Sequence, residues 1–163
     1  MLRAAAVVLV AFVVFPACKS GRPVPLPPVD KPLPLLARDT LAGQRFDPAS
    51  VAGKVVVVNF WSPGCAPCAK EAPGLQAAAD ALADRGLALV TVMSDGTPDE
   101  ARAFVHRAGL TAPVVVGDLD LLKDLNVLVY PWTLIVDRDG RAVYALRGGQ
   151  QQATFTKAFE KYL

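Results

Sequence analysis

Histidine is nearly absent from this sequence: His106 is the only one among 163 residues. Cysteine is scarce as well, with three in all, and only Cys65 and Cys68 lie close together. These shortages bear on metal chemistry. A structural zinc site takes about four ligands, usually in two pairs. Here there is no second Cys-x-x-Cys, and the other donors are Cys18, His106 and scattered carboxylates, so a zinc centre is disfavoured. Net charge is also lacking, at +2 near neutral pH, which gives no case for nucleic acid or an acidic substrate as partner. No internal repeat is visible. The apolar run Ala4 to Phe15 has twelve residues, too few for a bilayer-spanning helix of about 20.

That run follows a short basic start, Met1-Leu2-Arg3, and matches the apolar region of a secretory signal. It ends in Phe15-Pro16-Ala17-Cys18. Residues 1–17 look like a bacterial lipoprotein signal, in which a small residue precedes a cysteine that is lipidated and becomes the mature N-terminus. Ala17 and Cys18 fit that pattern, while Phe15 and Pro16 depart from it. The alternatives are ordinary cleavage near Ala17 with a free Cys18, and retention of the segment as an anchor. All three place the remaining chain outside the cytoplasm, where paired cysteines can be oxidised. Residues 18–34 form a linker with six prolines between Lys19 and Pro34. Extended at roughly 3 Å per residue, it reaches about 50 Å from a membrane.

A single domain is expected from 35 to 163. Leu35–Arg38 and Gln44–Phe46 read as two short strands joined around Ala42-Gly43, with one helical turn at Pro48–Ala52. Lys54–Phe60 holds four consecutive valines and reads as a strand buried on both faces. A helix follows Cys65, carries Leu75, Ala78, Ala79 and Leu82 on one side, contains Pro73 and is closed by Gly86. Leu87–Met93 is a second buried strand. Thr97 and Glu100 form a capping box with Pro98 at the first helical position, opening a helix to about Arg107. Pro113–Val116 reads as a strand, Leu119–Leu125 as a short helix, and Trp132–Asp137 and Arg141–Leu146 as strands turned at Arg138-Asp139-Gly140. Ala153–Tyr162 is a terminal helix. This order predicts an α/β fold with a mixed sheet and helices on both faces.

Within it, Cys65-Ala66-Pro67-Cys68 stands where a strand hands over to a helix. The first turn of a helix has free N–H groups and a partial positive charge, which stabilise a thiolate and make it a usable nucleophile. Cys65 falls at or just before the helix start. Cys68, one turn on, shares its face, so the two sulfurs can close a small disulfide. Pro67 suits the first turn, where its missing N–H costs nothing.

The stretch Val57-Val58-Asn59-Phe60-Trp61, the Cys65–Cys68 motif, Glu71 and Pro73, and Pro131-Trp132-Thr133 leading into Leu134–Asp137 and Asp139-Gly140 resemble the thioredoxin superfamily. The particular likeness is to the TlpA/ResA-like membrane-tethered thiol–disulfide oxidoreductases, over about Leu35 to Leu163. The resemblance implies a thioredoxin-like fold with an N-terminal β-hairpin extension, and a cis Pro131 that faces the cysteines and shapes a substrate groove. It implies a redox-active Cys65–Cys68 disulfide with Glu71 moving the Cys68 proton, and Trp61, Tyr130 and Trp132 beside the groove. It departs from the family at Gly64, where an aromatic residue often stands, and Asn59 replaces the buried acid of cytoplasmic thioredoxins.

The expected function is a cell-envelope disulfide reductase, with no metal or cofactor, held to the membrane by lipid on Cys18. A membrane thiol donor would recharge it, and its substrates would be disulfide-bearing proteins such as apocytochrome c or a copper-site protein. The alternatives are an oxidase or isomerase of the same fold, a peroxidase and a copper metallochaperone. Ser62 stands three residues before Cys65, as in peroxiredoxins, but Val58 stands where their proline is expected. The chaperones resembling SCO proteins use wider cysteine spacing and a late histidine that His106 does not match.

Overall fold

Val55, Val56, Val57 and Val58 are each at most 1% exposed in the computed structural model, which describes residues 36–163. The signal-type segment, Cys18, the linker and Leu35 lie outside the described residues. β-Branched side chains suit a pleated strand, and burial on both faces belongs to a central one. Removing each such side chain from water contributes about 1.5–3 kcal/mol.

The strands are β1 (Val55–Trp61), β2 (Leu87–Met93), β3 (Val114–Val116), β4 (Trp132–Val136) and β5 (Ala142–Arg147). The helices are α1 (Ala66–Asp80), α2 (Pro98–Ala108), α3 (Leu119–Asp124) and α4 (Gln152–Glu160). The strands form one sheet in the order β3-β2-β1-β4-β5. β2 lies parallel to β1 and β3 parallel to β2, while β4 and β5 run antiparallel to their neighbours. Since alternate residues of a strand face opposite sides, β1 feeds two layers. Val55 and Val57 pack with Leu75, Ala78, Phe155 and Phe159 of α1 and α4. Trp61 joins Phe104 and Ala108 of α2 on the same side. Val56, Val58 and Phe60 face the other layer, with Leu121 and Leu122 of α3 and with Leu36 and Phe46. Helices therefore cover both faces of a mixed sheet.

Local signals set several boundaries. The Thr97 hydroxyl accepts from the Glu100 N–H while Glu100 accepts from the Thr97 N–H at 2.8 Å, completing the expected capping box. The β4–β5 turn closes through the Gly140 N–H on the Asp137 carbonyl. Two expectations shift. The early strands form a hairpin with a single bridge, Asp39 to Arg45, and Thr40 bridges to Val115. Only Leu36 and Phe46 at its ends are buried, so the polar residues between them have no face to bury against a sheet. The helix after Cys65 stops at Asp80. There the bonding tightens, with Leu82 N–H donating to Ala79 O, and Gly86 closes a separate 3-10 turn at Ala83–Arg85. Among the described residues no helix is long and apolar enough to cross a membrane.

Candidate active site

β1 ends at Trp61, and four residues later Cys65 caps α1. Its Sγ accepts from the Cys68 N–H at 3.2 Å, so the sulfur sits on the free N–H groups of the first turn, where negative charge is favoured. Pro67 lies within that turn. Cys65 and Cys68 are joined as a disulfide with their Cα atoms 5.3 Å apart. The two sulfurs are not equivalent. Cys65 is half-buried among the exposed Gly64, Ala66 and Pro67, whereas Cys68 is 1% exposed. An incoming molecule meets Cys65 first, and Cys68 waits behind it.

One turn beyond Cys68, Glu71 points into the protein and is only 3% exposed. Its Oε1 accepts from Asn59 Nδ2 at 3.0 Å, and its Oε2 accepts from the Gln150 backbone N–H at 2.9 Å. Asn59 Nδ2 also donates to Thr133 Oγ1 at 2.9 Å. Burial pushes the Glu71 carboxyl up to about 7, and the donors at Gln150 and Asn59 pull against it without prevailing. Glu71 thus changes protonation near neutral pH, where thiol exchange runs.

The Tyr130–Pro131 bond is cis, Pro131 is buried, and its carbonyl accepts from the Gly148 N–H. Tyr130 is half-buried, and Leu128 and Val129 before it are 69% and 49% exposed, so apolar surface leads into this loop. The expectation that Trp61 and Trp132 line a groove needs correction. Trp61 is 1% exposed and stacks on Phe104 with ring centroids 4.2 Å apart, in the cluster that holds Cys68. Trp132 is 0% exposed and packs in the opposite layer, beneath the guanidinium of Arg147 at 4.7 Å. Strand alternation requires this: Thr133 faces Asn59, so Trp132 faces away. Gly96, at φ +89, lies where a Cβ would come 2.9 Å from Pro63 Cγ, so the loop after β2 presses on the turn before Cys65. His106 is exposed on α2, and among the described residues no three His, Cys, Asp or Glu side chains gather as a metal site.

Thr133 and Gln150 were not singled out from the sequence as parts of the site. Thr133 left a faint trace, a polar residue within the apolar Trp132–Val136 run. Gln150 left none, because its role depends on a backbone N–H brought 79 residues along the chain to Glu71.

The AhpC/TSA family model matches residues 29–145. The thioredoxin-like protein YneN of Bacillus subtilis (strain 168) is 34% identical over 104 residues, spanning 62% of this chain and 61% of YneN. The thiol–disulfide oxidoreductase ResA of Bacillus thuringiensis subsp. konkukian (strain 97-27) is 26% identical over 136 residues, 83% of this chain and 76% of that protein. A solved structure of a thiol:disulfide interchange protein of the thioredoxin family from Chlorobium tepidum TLS superposes with a TM-score of 0.71 at 23% identity. It covers 88% of this chain and 98% of that one, and it shares the fold. The chain belongs to the AhpC/TSA family, as a thioredoxin-fold relative of the ResA thiol–disulfide oxidoreductases with a Cys65–Cys68 disulfide at the head of its helix.

Proposed function

We propose that this protein is a cell-envelope thiol–disulfide oxidoreductase that reduces disulfides in other proteins. The observation that carries the reading is the unequal pair: a reachable Cys65 on a helix N-terminus, a buried Cys68 behind it, and Glu71 one turn further in. In the reduced enzyme the Cys65 thiolate attacks a substrate disulfide, forming a mixed disulfide and releasing one substrate thiolate. Cys68 gives its proton to Glu71 and attacks Cys65 Sγ. The second substrate sulfur leaves, two electrons have passed to the substrate, and the enzyme holds the Cys65–Cys68 disulfide. A membrane thiol donor then returns it to the dithiol. Tyr130 and the exposed Leu128 and Val129, turned by the buried cis Pro131, supply the surface on which the substrate chain docks.

The substrates that fit the resemblance are extracytoplasmic proteins with paired cysteines, such as apocytochrome c at its haem-attachment cysteines or a copper-site protein. Lipid on Cys18 would hold the domain at the membrane, with residues 18–34 as spacer. Two measurements test this reading. A reduction potential of the pair at or below about −270 mV supports a reductase, and one near about −120 mV makes the protein an oxidant instead. The Cys68→Ser variant, which lacks the resolving thiol, should accumulate mixed disulfides through Cys65 in envelope extracts, and mass spectrometry of the trapped partners names the substrate. Absence of any Cys65-linked adduct would sink the proposal.

A further inference from the structure

The turn after β5 joins three parts of the site. Gly148 N–H donates to the carbonyl of Pro131 at 2.9 Å. At Gly149 a Cβ would stand 3.6 Å from both Cβ and the carbonyl oxygen of Pro67, so this backbone lies directly on the cysteine motif. Gln150 then places its N–H 2.9 Å from Glu71 Oε2. The Gln150 side chain does not reach out to solvent. It is 6% exposed, and its Nε2 donates to the carbonyls of Arg147 and Gly148, each at 2.9 Å. The turn is thereby fastened to itself by the same residue whose backbone touches Glu71.

Beside it lies a cleft of about 720 Å³, bordered by Pro67, Lys70, Glu71, Gly149 and Gln150. Glu71 borders this cleft yet is only 3% exposed, with the turn's Gln150 N–H seated on its carboxyl.

We propose that Gln150 is a positioning residue: its carboxamide latches the Arg147–Gln150 turn over Glu71, fixes the N–H on Oε2, and so controls how that carboxyl exchanges protons with the cleft. The catalytic consequence rests on Glu71 serving as acceptor of the Cys68 proton. The groups bonded to the Glu71 carboxyl are Asn59 of β1, itself tied to Thr133 of β4, and the Gln150 backbone of the turn, with Cys68 one turn earlier on α1. Lys70, exposed, is the one other charged side chain on the cleft wall. Burial therefore governs the protonation of Glu71, and water admitted by an unlatched turn acts against burial. Loss of the Gln150 N–H acts the other way, but it is the smaller influence.

The test follows the Glu71 carboxyl itself, by infrared titration of the full chain, with Glu71→Gln identifying its band. Gln150→Met keeps the side-chain length and removes both donors. Its Glu71 midpoint should fall by about one pH unit, a tenfold change in proton concentration, and the pH profile of thiol exchange should move the same way. Gln151→Met is the control, because that exposed neighbour makes no side-chain bond at the α4 N-cap, and its midpoint should match wild type. An unchanged or higher midpoint in folded Gln150→Met overturns the latch. Should that variant not fold, amide hydrogen exchange on the wild type decides: a Gln150 N–H as protected as the β1 amides supports the latch, and one exchanging as fast as that of Gln151 overturns it. A latch seen on the carboxyl band, with thiol kinetics indifferent to Glu71→Gln, would remove only Glu71's service to Cys68.

Discussion

Asn59 donates from Nδ2 to Glu71 Oε1 across 3.0 Å, tying the central strand to the cysteine-bearing helix inside the protein. The same amide holds Thr133 of β4, so one side chain fixes three elements around a carboxyl that sits one turn past Cys68. Four expectations follow from this arrangement and its surroundings.

Glu71 makes stability depend on pH. Its folded-state value, about 7, exceeds the ordinary glutamate value of 4.5, so the native state binds the extra proton between those limits. Its contribution is complete below about pH 4.5 and is lost as pH rises through about 7. The gap corresponds to about 3 kcal/mol. Denaturant unfolding of the oxidised protein at about pH 5 and about pH 8.5 should show that loss, and Glu71→Gln should flatten it. Equal slopes in the two proteins would mean that Glu71 ionises without cost.

Replacing Asn59 by Ala leaves the Thr133 hydroxyl and Glu71 Oε1 without their donor in a buried place. The expected cost is about 2–3 kcal/mol in unfolding free energy. Asn59 also favours the ionised form of Glu71, so the carboxyl should titrate higher in the variant. A stability loss below about 0.5 kcal/mol would show that water replaces the amide.

The two tryptophans should report differently on the disulfide. Trp61 shares an apolar cluster with Cys68, whereas Trp132 packs in the opposite layer under Arg147. Reduction of the pair should change fluorescence in wild type and in Trp132→Phe, and leave it nearly unchanged in Trp61→Phe. A redox response that survives the loss of Trp61 contradicts this placement.

Gly96→Ala puts a Cβ at φ +89 and 2.9 Å from Pro63. The backbone conformation alone costs about 1–2 kcal/mol. The displaced Pro63 stands two residues before Cys65, so the thiol exchange rate should change along with the melting temperature. An altered melting temperature with wild-type exchange kinetics would separate the loop from the site.

The elements set by near neighbours were legible in the residues. Four valines marked the central strand, Thr97 with Glu100 marked a helix start, and Asp139-Gly140 marked a hairpin turn. Cys65 and Cys68 announced their chemistry because a helix N-terminus and a three-residue spacing are local facts. Where chain partners are distant, the residues alone were silent or misleading. Trp132 looked available to a groove, but the register of β4 against β1 buries it on the far side. The helix after Cys65 carried apolar spacing to Leu82, but tighter bonding ends it at Asp80.

The sequence by itself determined a thioredoxin-like chain with a redox-type cysteine pair and an acid at the right helical offset. Only the tertiary structure decided what that acid is. Asn59 and Gln150 reach Glu71 across 12 and 79 residues, and packing removes the water that would otherwise keep it ionised. Spacing places a carboxyl on a helix face, but its proton affinity depends on the solvent it has lost and the donors that replace it, and folding alone assembles those.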